Sequence, residues 1–135
     1  MSSQANVVEY GFLTSDSNLD PFASTPGTDK QYTVVKLNGD QVTPVTAIAD
    51  VAFGILNNHP GVDEAAKVIV RGVAKVIAGG ACTAGAPVYL LADGTVADSS
   101  AAGARLIGTC LRTGVALDIV EVDLTKLDIS APVQP

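Results

Sequence analysis

The sequence predicts a mainly β domain, and three observations predict it. Runs rich in β-branched residues recur along the chain, several with apolar and polar residues in alternation. Turn signals bound those runs, above all Asn38-Gly39 and Asp93-Gly94. No segment holds a long helical period. At 135 residues the chain is long enough for one domain with a real core.

Residues 1–31 read as an extended N-terminal arm. Ser, Thr, Asn, Asp, Pro21, Pro26 and Gly27 dominate it, and its apolar islands are Val7-Val8 and Tyr10-Gly-Phe-Leu13. Val8, Tyr10 and Phe12 alternate at period 2, so the segment suits an added edge strand. A partner or the chain's own domain can receive that strand, and both readings stay open. Val8, Tyr10, Phe12 and Leu13 are therefore the candidate partner-binding residues.

Residues 32–127 form the predicted β core. Residues 32–37 read as a strand, and residues 41–43 as its hairpin partner, closed by Pro44. Residues 46–53 suit a helix of one or two turns capped by Thr46. Residues 66–77 are the strongest strand region, with Lys67, Ile69 and Arg71 alternating with Val68 and Val70 as in a half-buried strand. Gly72 in its middle marks a bend or bulge. Residues 87–91 give another strand. In residues 118–124, Val120, Val122 and Leu124 are predicted to face in, with Glu121 and Asp123 facing out. Residues 128–135 fade into a loose C-terminal tail.

A weak internal repeat runs through this core. Val42 lies 12 residues before Gly54, and Val96 lies 12 before Gly108. In each copy a turn glycine (Gly39 or Gly94) leads a short strand and a loop of small residues. An apolar-Gly step then brings a further strand back across the sheet. Gly39, Gly54, Gly72, Gly94 and Gly108 are the structural glycines of this reading.

Composition removes several function classes. Eight basic residues against 14 acidic ones leave a net charge of -6, the wrong sign for phosphate neutralisation on nucleic acid or an anionic membrane. Charged residues make up 16%, against about 25% in typical domains, which suits a surface largely turned toward other protein chains. The start of the chain lacks a basic and an apolar signal region, which predicts folding in the cytosol of the producing cell. Cys82 and Cys110 read as two small, partly buried thiols, with a single disulfide left open.

The residues for catalysis or metal binding are sparse. His59 is the one histidine and lies in the turn Asn57-Asn-His-Pro-Gly61, poor support for a catalytic base. Metal sites need clustered ligands, and none is visible. Asp63-Glu64 reads as a solvated acidic pair. The glycine-rich residues 79–85 lack the Gly-Lys-Ser/Thr of a phosphate-binding loop, so they read as a turn between strands. The expectation is a binding module with no catalytic residue, no cofactor and no metal.

The order of motifs resembles the small capsid cement, or head decoration, proteins of tailed bacteriophages. The matching parts are Phe53-Gly-Ile-Leu56, Val68-Ile-Val-Arg-Gly-Val-Ala-Lys-Val76, Ala84-Gly-Ala-Pro-Val88, Asp93-Gly-Thr-Val96 and Leu106-Ile-Gly108. The resemblance implies a tulip-like β-barrel that assembles as a trimer on the outer capsid surface. It implies the major capsid protein as partner and production in the host bacterial cytoplasm. It assigns no motif to residues 1–31. A small-ligand or carbohydrate-binding β domain is the alternative, disfavoured by the absence of Trp.

Overall fold

The computed structural model describes residues 8–11, 13–15, 30–61 and 63–124. They form ten strands: β1 (Val8–Tyr10), β2 (Thr14–Ser15), β3 (Val34–Asn38), β4 (Gln41–Pro44), β5 (Gly54–Leu56), β6 (Val68–Ile77), β7 (Pro87–Leu90), β8 (Val96–Ala97), β9 (Leu106–Cys110) and β10 (Ile119–Leu124). No helix occurs among the described residues, so the mainly β prediction holds.

The strands hydrogen-bond in the order β2-β4-β3-β5-β6-β10-β9-β7-β8, with β1 added on β6. Read from each end, this path contains the same unit twice, β4-β3-β5-β6 and β8-β7-β9-β10. The repeat in the sequence is therefore a repeat in topology. Its register repeats as well. Leu56 pairs with Val68 as Cys110 pairs with Val122, and Ile55 with Ile69 as Thr109 with Asp123. Asn57 N–H donates to Lys67 O at 2.7 Å, and Leu111 N–H donates to Glu121 O at 2.8 Å. The two units join where β6 and β10 pair antiparallel, from Ile119 opposite Ile77 to Leu124 opposite Gly72.

Gly54 and Gly108 occupy matching places for one reason. A Cβ on Gly54 would stand 2.5 Å from Ile69 O, and one on Gly108 would stand 2.1 Å from Asp123 O. In both units the strand crosses too close to its neighbour's backbone for any side chain. The other three structural glycines, Gly39, Gly72 and Gly94, all have positive φ.

The barrel implied by the resemblance does not close. Among the described residues the sheet path ends at β2 and β8. An isolated parallel bridge between Ala78 and Val96 brings β8 to the end of β6. With only two residues, β8 is too short to extend that bridge into a ladder.

The helix predicted for residues 46–53 is also absent. Asp50 closes a tight turn instead: its N–H donates to Ala47 O at 3.2 Å, and its carboxylate accepts Thr46 N–H at 2.8 Å and Ala47 N–H at 3.0 Å. Such local side-chain bonds favour turns over helix. Asp50 also pairs with Lys36 at 3.1 Å.

Two apolar clusters fill the fold. The larger holds Val34, Ile55 and Ile69 from the first unit, Ala74 and Val76 from β6, and Val88, Leu90, Ile107, Val120 and Val122 from the second. The smaller holds Val35, Val42, Leu56, Ala66 and Val68, with Leu13, Phe53 and Val70 packed on it. Neighbouring residues of β3 and β5 thus enter different clusters, so the first unit is covered on both faces. This corrects the half-buried reading at Val68 and Ile69, which are both buried. β10 shows the predicted alternation, with Val120, Val122 and Leu124 inside.

Two outcomes are expected. Gly108→Ala should lower unfolding free energy in urea by about 2–4 kcal/mol, since the new Cβ meets rigid backbone, while Gly39→Ala, with open space around it, should cost about 1 kcal/mol. Burial opposes ionisation of Asp50, yet the Thr46 and Ala47 amides and Lys36 outweigh it and hold the carboxyl below its usual value. Its contribution is present above about pH 4 and is lost as pH falls through the depressed value. Asp50→Asn should cost about 1 kcal/mol at pH 7 and flatten the acid limb of a stability–pH curve.

Candidate attachment surface

The described part of the arm lies on the core. β1 pairs antiparallel with β6, with Val8 opposite Arg71, Glu9 opposite Ile69 and Tyr10 opposite Val68. The register shifts between Val8 and Glu9. All three β1 residues are exposed. The Tyr10 and Phe53 rings lie 5.7 Å apart at 34°, an attractive tilted contact. Leu13 is half-buried against the smaller cluster. Phe12 lies outside the described residues. Of the candidate arm residues, Val8 and Tyr10 therefore share one exposed strand, while Leu13 faces the core.

β2 is tied to the core through its backbone. It runs parallel to β4, with Thr14 beside Gln41 and Ser15 beside Val42. Ser15 N–H donates to Glu64 O at 3.0 Å, and Asp63 N–H donates to Ser15 O at 2.9 Å. Asp63 accepts from the Gln41 side chain at 2.9 Å, and Glu64 accepts Gly61 N–H at 2.6 Å. The acidic pair expected to be merely solvated is exposed, but it also ties β2 to the core. No pattern in the sequence signals this, because the partners are distant backbone groups.

A cleft of about 390 Å³ opens beside β1, lined by Glu9, Tyr32, Asn57, Ile69, Val73, Ala74 and Lys75. Asn57 donates to the Glu9 carboxylate at 3.0 Å. Tyr32 sits at φ 66°, with its carbonyl accepting Ile77 N–H at 2.8 Å. A carboxylate, an ammonium, an amide and one phenol ring thus meet here. The set suits polar contact with a chain segment.

The remaining sequence candidates are dispersed. His59 is exposed in its turn. Among the described residues no three His, Cys, Asp or Glu side chains gather to hold a metal. Cys82 and Cys110 are both buried free thiols within the larger cluster. Burial pushes the Cys82 thiol up to about 11, with Cys110 and Asp98 adding to the rise. Cys82 sits in the glycine-rich turn, where its backbone pairs with Gly114.

This fold occurs in a solved phage structure. The N base of head fiber gp8.5 from bacteriophage phi29 matches this chain with a TM-score of 0.61 and 13% identity, over 90% of this chain and 97% of that one. The two chains share a fold. No family model and no curated protein matches the sequence.

The buried thiols give a direct check. A raised thiol pKa means that the protonated form is favoured in the folded state, so Cys82 stabilises fully below about pH 8.5 and loses that contribution as pH rises toward 11. Iodoacetamide at pH 8 should leave both cysteines unmodified in the native chain and modify both in denaturant, read by intact mass.

Proposed function

We propose that this chain is a structural virion protein that binds the outside of a phage head and cements the lattice of the major capsid protein. The shared fold with a phage head-fiber base, over 90% of this chain and 97% of that one, carries this reading. An acidic chain with few charged residues and exposed apolar strand residues supports it. In this reading the chain has no catalytic role, cofactor or metal. It touches neither nucleic acid nor membrane, and it assembles as a homotrimer.

The energetics suit repeated weak binding. β1 is short and its residues are exposed, and strand addition is one way such a segment meets a partner chain. Each such contact is modest. Copies arrayed on a symmetric shell add up through multivalency. The cleft beside β1 continues this surface and accepts polar groups through Glu9, Asn57 and Lys75. The same cleft favours a second reading, a small-ligand or carbohydrate-binding β domain, although one tyrosine gives a sugar little to stack on.

The test uses expanded heads of the phage that encodes the chain, assembled without it. Purified protein should co-sediment with them in saturable fashion and raise their resistance to heat and to loss of DNA. Absence of saturable binding at micromolar concentration would contradict head attachment. Tyr10→Ala, which removes a ring from β1, should weaken binding about tenfold while costing about 1 kcal/mol of stability through the lost Phe53 contact.

A further inference from the structure

The chain's two cysteines come together in the second unit. Cys82 precedes β7 and Cys110 ends β9, and both are buried. One short antiparallel pairing holds their backbones. Cys82 exchanges backbone hydrogen bonds with Gly114 at 3.0 and 2.9 Å. Cys110 N–H donates to Ala86 O at 2.9 Å, and Gly85 N–H donates to Cys110 O at 2.7 Å. Residues 84–86 and 111–112 turn, which brings the two ends of this pairing toward each other. The two thiols lie within hydrogen-bond reach of one another.

Packing alone does not account for this contact, and the first unit shows why. Leu56 stands there where Cys110 stands in the second, since Leu56 pairs with Val68 as Cys110 pairs with Val122. Leu56 is fully buried, so an aliphatic side chain satisfies the fold at this place. A buried thiol packs as a small hydrophobe. What it adds is chemistry, and here a second thiol is in place to share it. Each thiol donates to a backbone carbonyl in the reduced chain, Cys82 to Val96 O at 3.5 Å and Cys110 to Arg112 O at 3.0 Å. Those bonds are weak, and turning either sulfur toward the other gives up little.

We propose that Cys82 and Cys110 are an oxidation site, and that a small peroxide converts the pair to a disulfide that clamps the second unit. One sulfur takes an oxygen from hydrogen peroxide, becomes a sulfenic acid and releases water. The other sulfur displaces that oxygen, which leaves as a second water, and the S–S bond forms. Two thiols are oxidised and one peroxide is reduced, so the balance closes without a further reactant. The bond ties residues 82–110, with all of β7, β8 and β9, into one covalent loop. Closing such a loop removes conformations from the unfolded chain and so stabilises the fold. Burial holds the Cys82 thiol in its protonated form, which keeps the reaction slow, because the thiolate is the reactive species. The pair therefore stays reduced in a reducing compartment and closes in an oxidising one. The clamp lies within one chain and is independent of head attachment.

The test treats the reduced full chain with hydrogen peroxide, then denatures it and adds iodoacetamide. The treated chain should take up no alkyl group and should weigh about two hydrogens less than the reduced chain by intact mass. A non-reducing peptide map should join the peptide holding Cys82 to the one holding Cys110 within a single chain. The melting temperature should rise by about 5 °C or more, and dithiothreitol should reverse the rise. Cys82→Ala and Cys110→Ala should each abolish the rise, and the thiol left in each should gain oxygen instead of a bond. If either variant fails to fold, the wild-type map and its reversible shift still decide. Two thiols that both remain open to alkylation after peroxide overturn the proposal. So does a bond formed only between chains, or a linked chain that melts no higher than the reduced one.

Discussion

The pairing of β6 with β10 governs the rest of the structure. Each is the last strand of its own four-stranded unit, and the six-residue seam from Ile119/Ile77 to Leu124/Gly72 makes one sheet of two. Ala74 and Val76 point from β6 into the same cluster as Val120 and Val122 from β10. Full burial of such side chains is worth about 1.5–3 kcal/mol for each large one. A unit without its twin would expose that face. The close crossings at Gly54 and Gly108 serve the same seam, because they set the strand that precedes it in each unit against its neighbour.

Much of this architecture was legible in the sequence. The repeat could be read because both copies need glycine at a crossing where any Cβ would strike a carbonyl, and that requirement leaves a mark at a fixed spacing. β10 could be read because one of its faces is buried and the other is not. β6 was legible as a strand but not in its burial, since Val68 and Ile69 both enter cores. Alternation fails as a guide when both faces are covered. β8 and β2 are two residues long and leave no periodicity. The turn at Asp50 looked helical because the pattern of Thr46 and small apolar residues does not reveal which carboxylate will take the free amides.

The candidate surfaces were legible in part. Val8 and Tyr10 were recognisable from their alternation, and they lie together on an exposed strand. The cleft beside them was invisible, because Glu9, Tyr32, Asn57 and Lys75 come from four separate parts of the chain. The exposed apolar loop between β9 and β10 was invisible for another reason: Val115 and Leu117 look like ordinary strand residues until the backbone turns them outward. The fold thus keeps two exposed features at its ends, an arm strand on β6 and an apolar loop beside β10. In the proposed role the arm strand meets the shell.

In the proposed role this chain sits on the outside of a phage head. Cryo-electron microscopy of virions from the phage that encodes it, compared with particles lacking it, tests this most directly. The expected result is added density on the outer face of the capsid that fits the two-unit sheet, with β1 against the major capsid protein. Identical maps with and without the chain, or density confined to the interior, would contradict it.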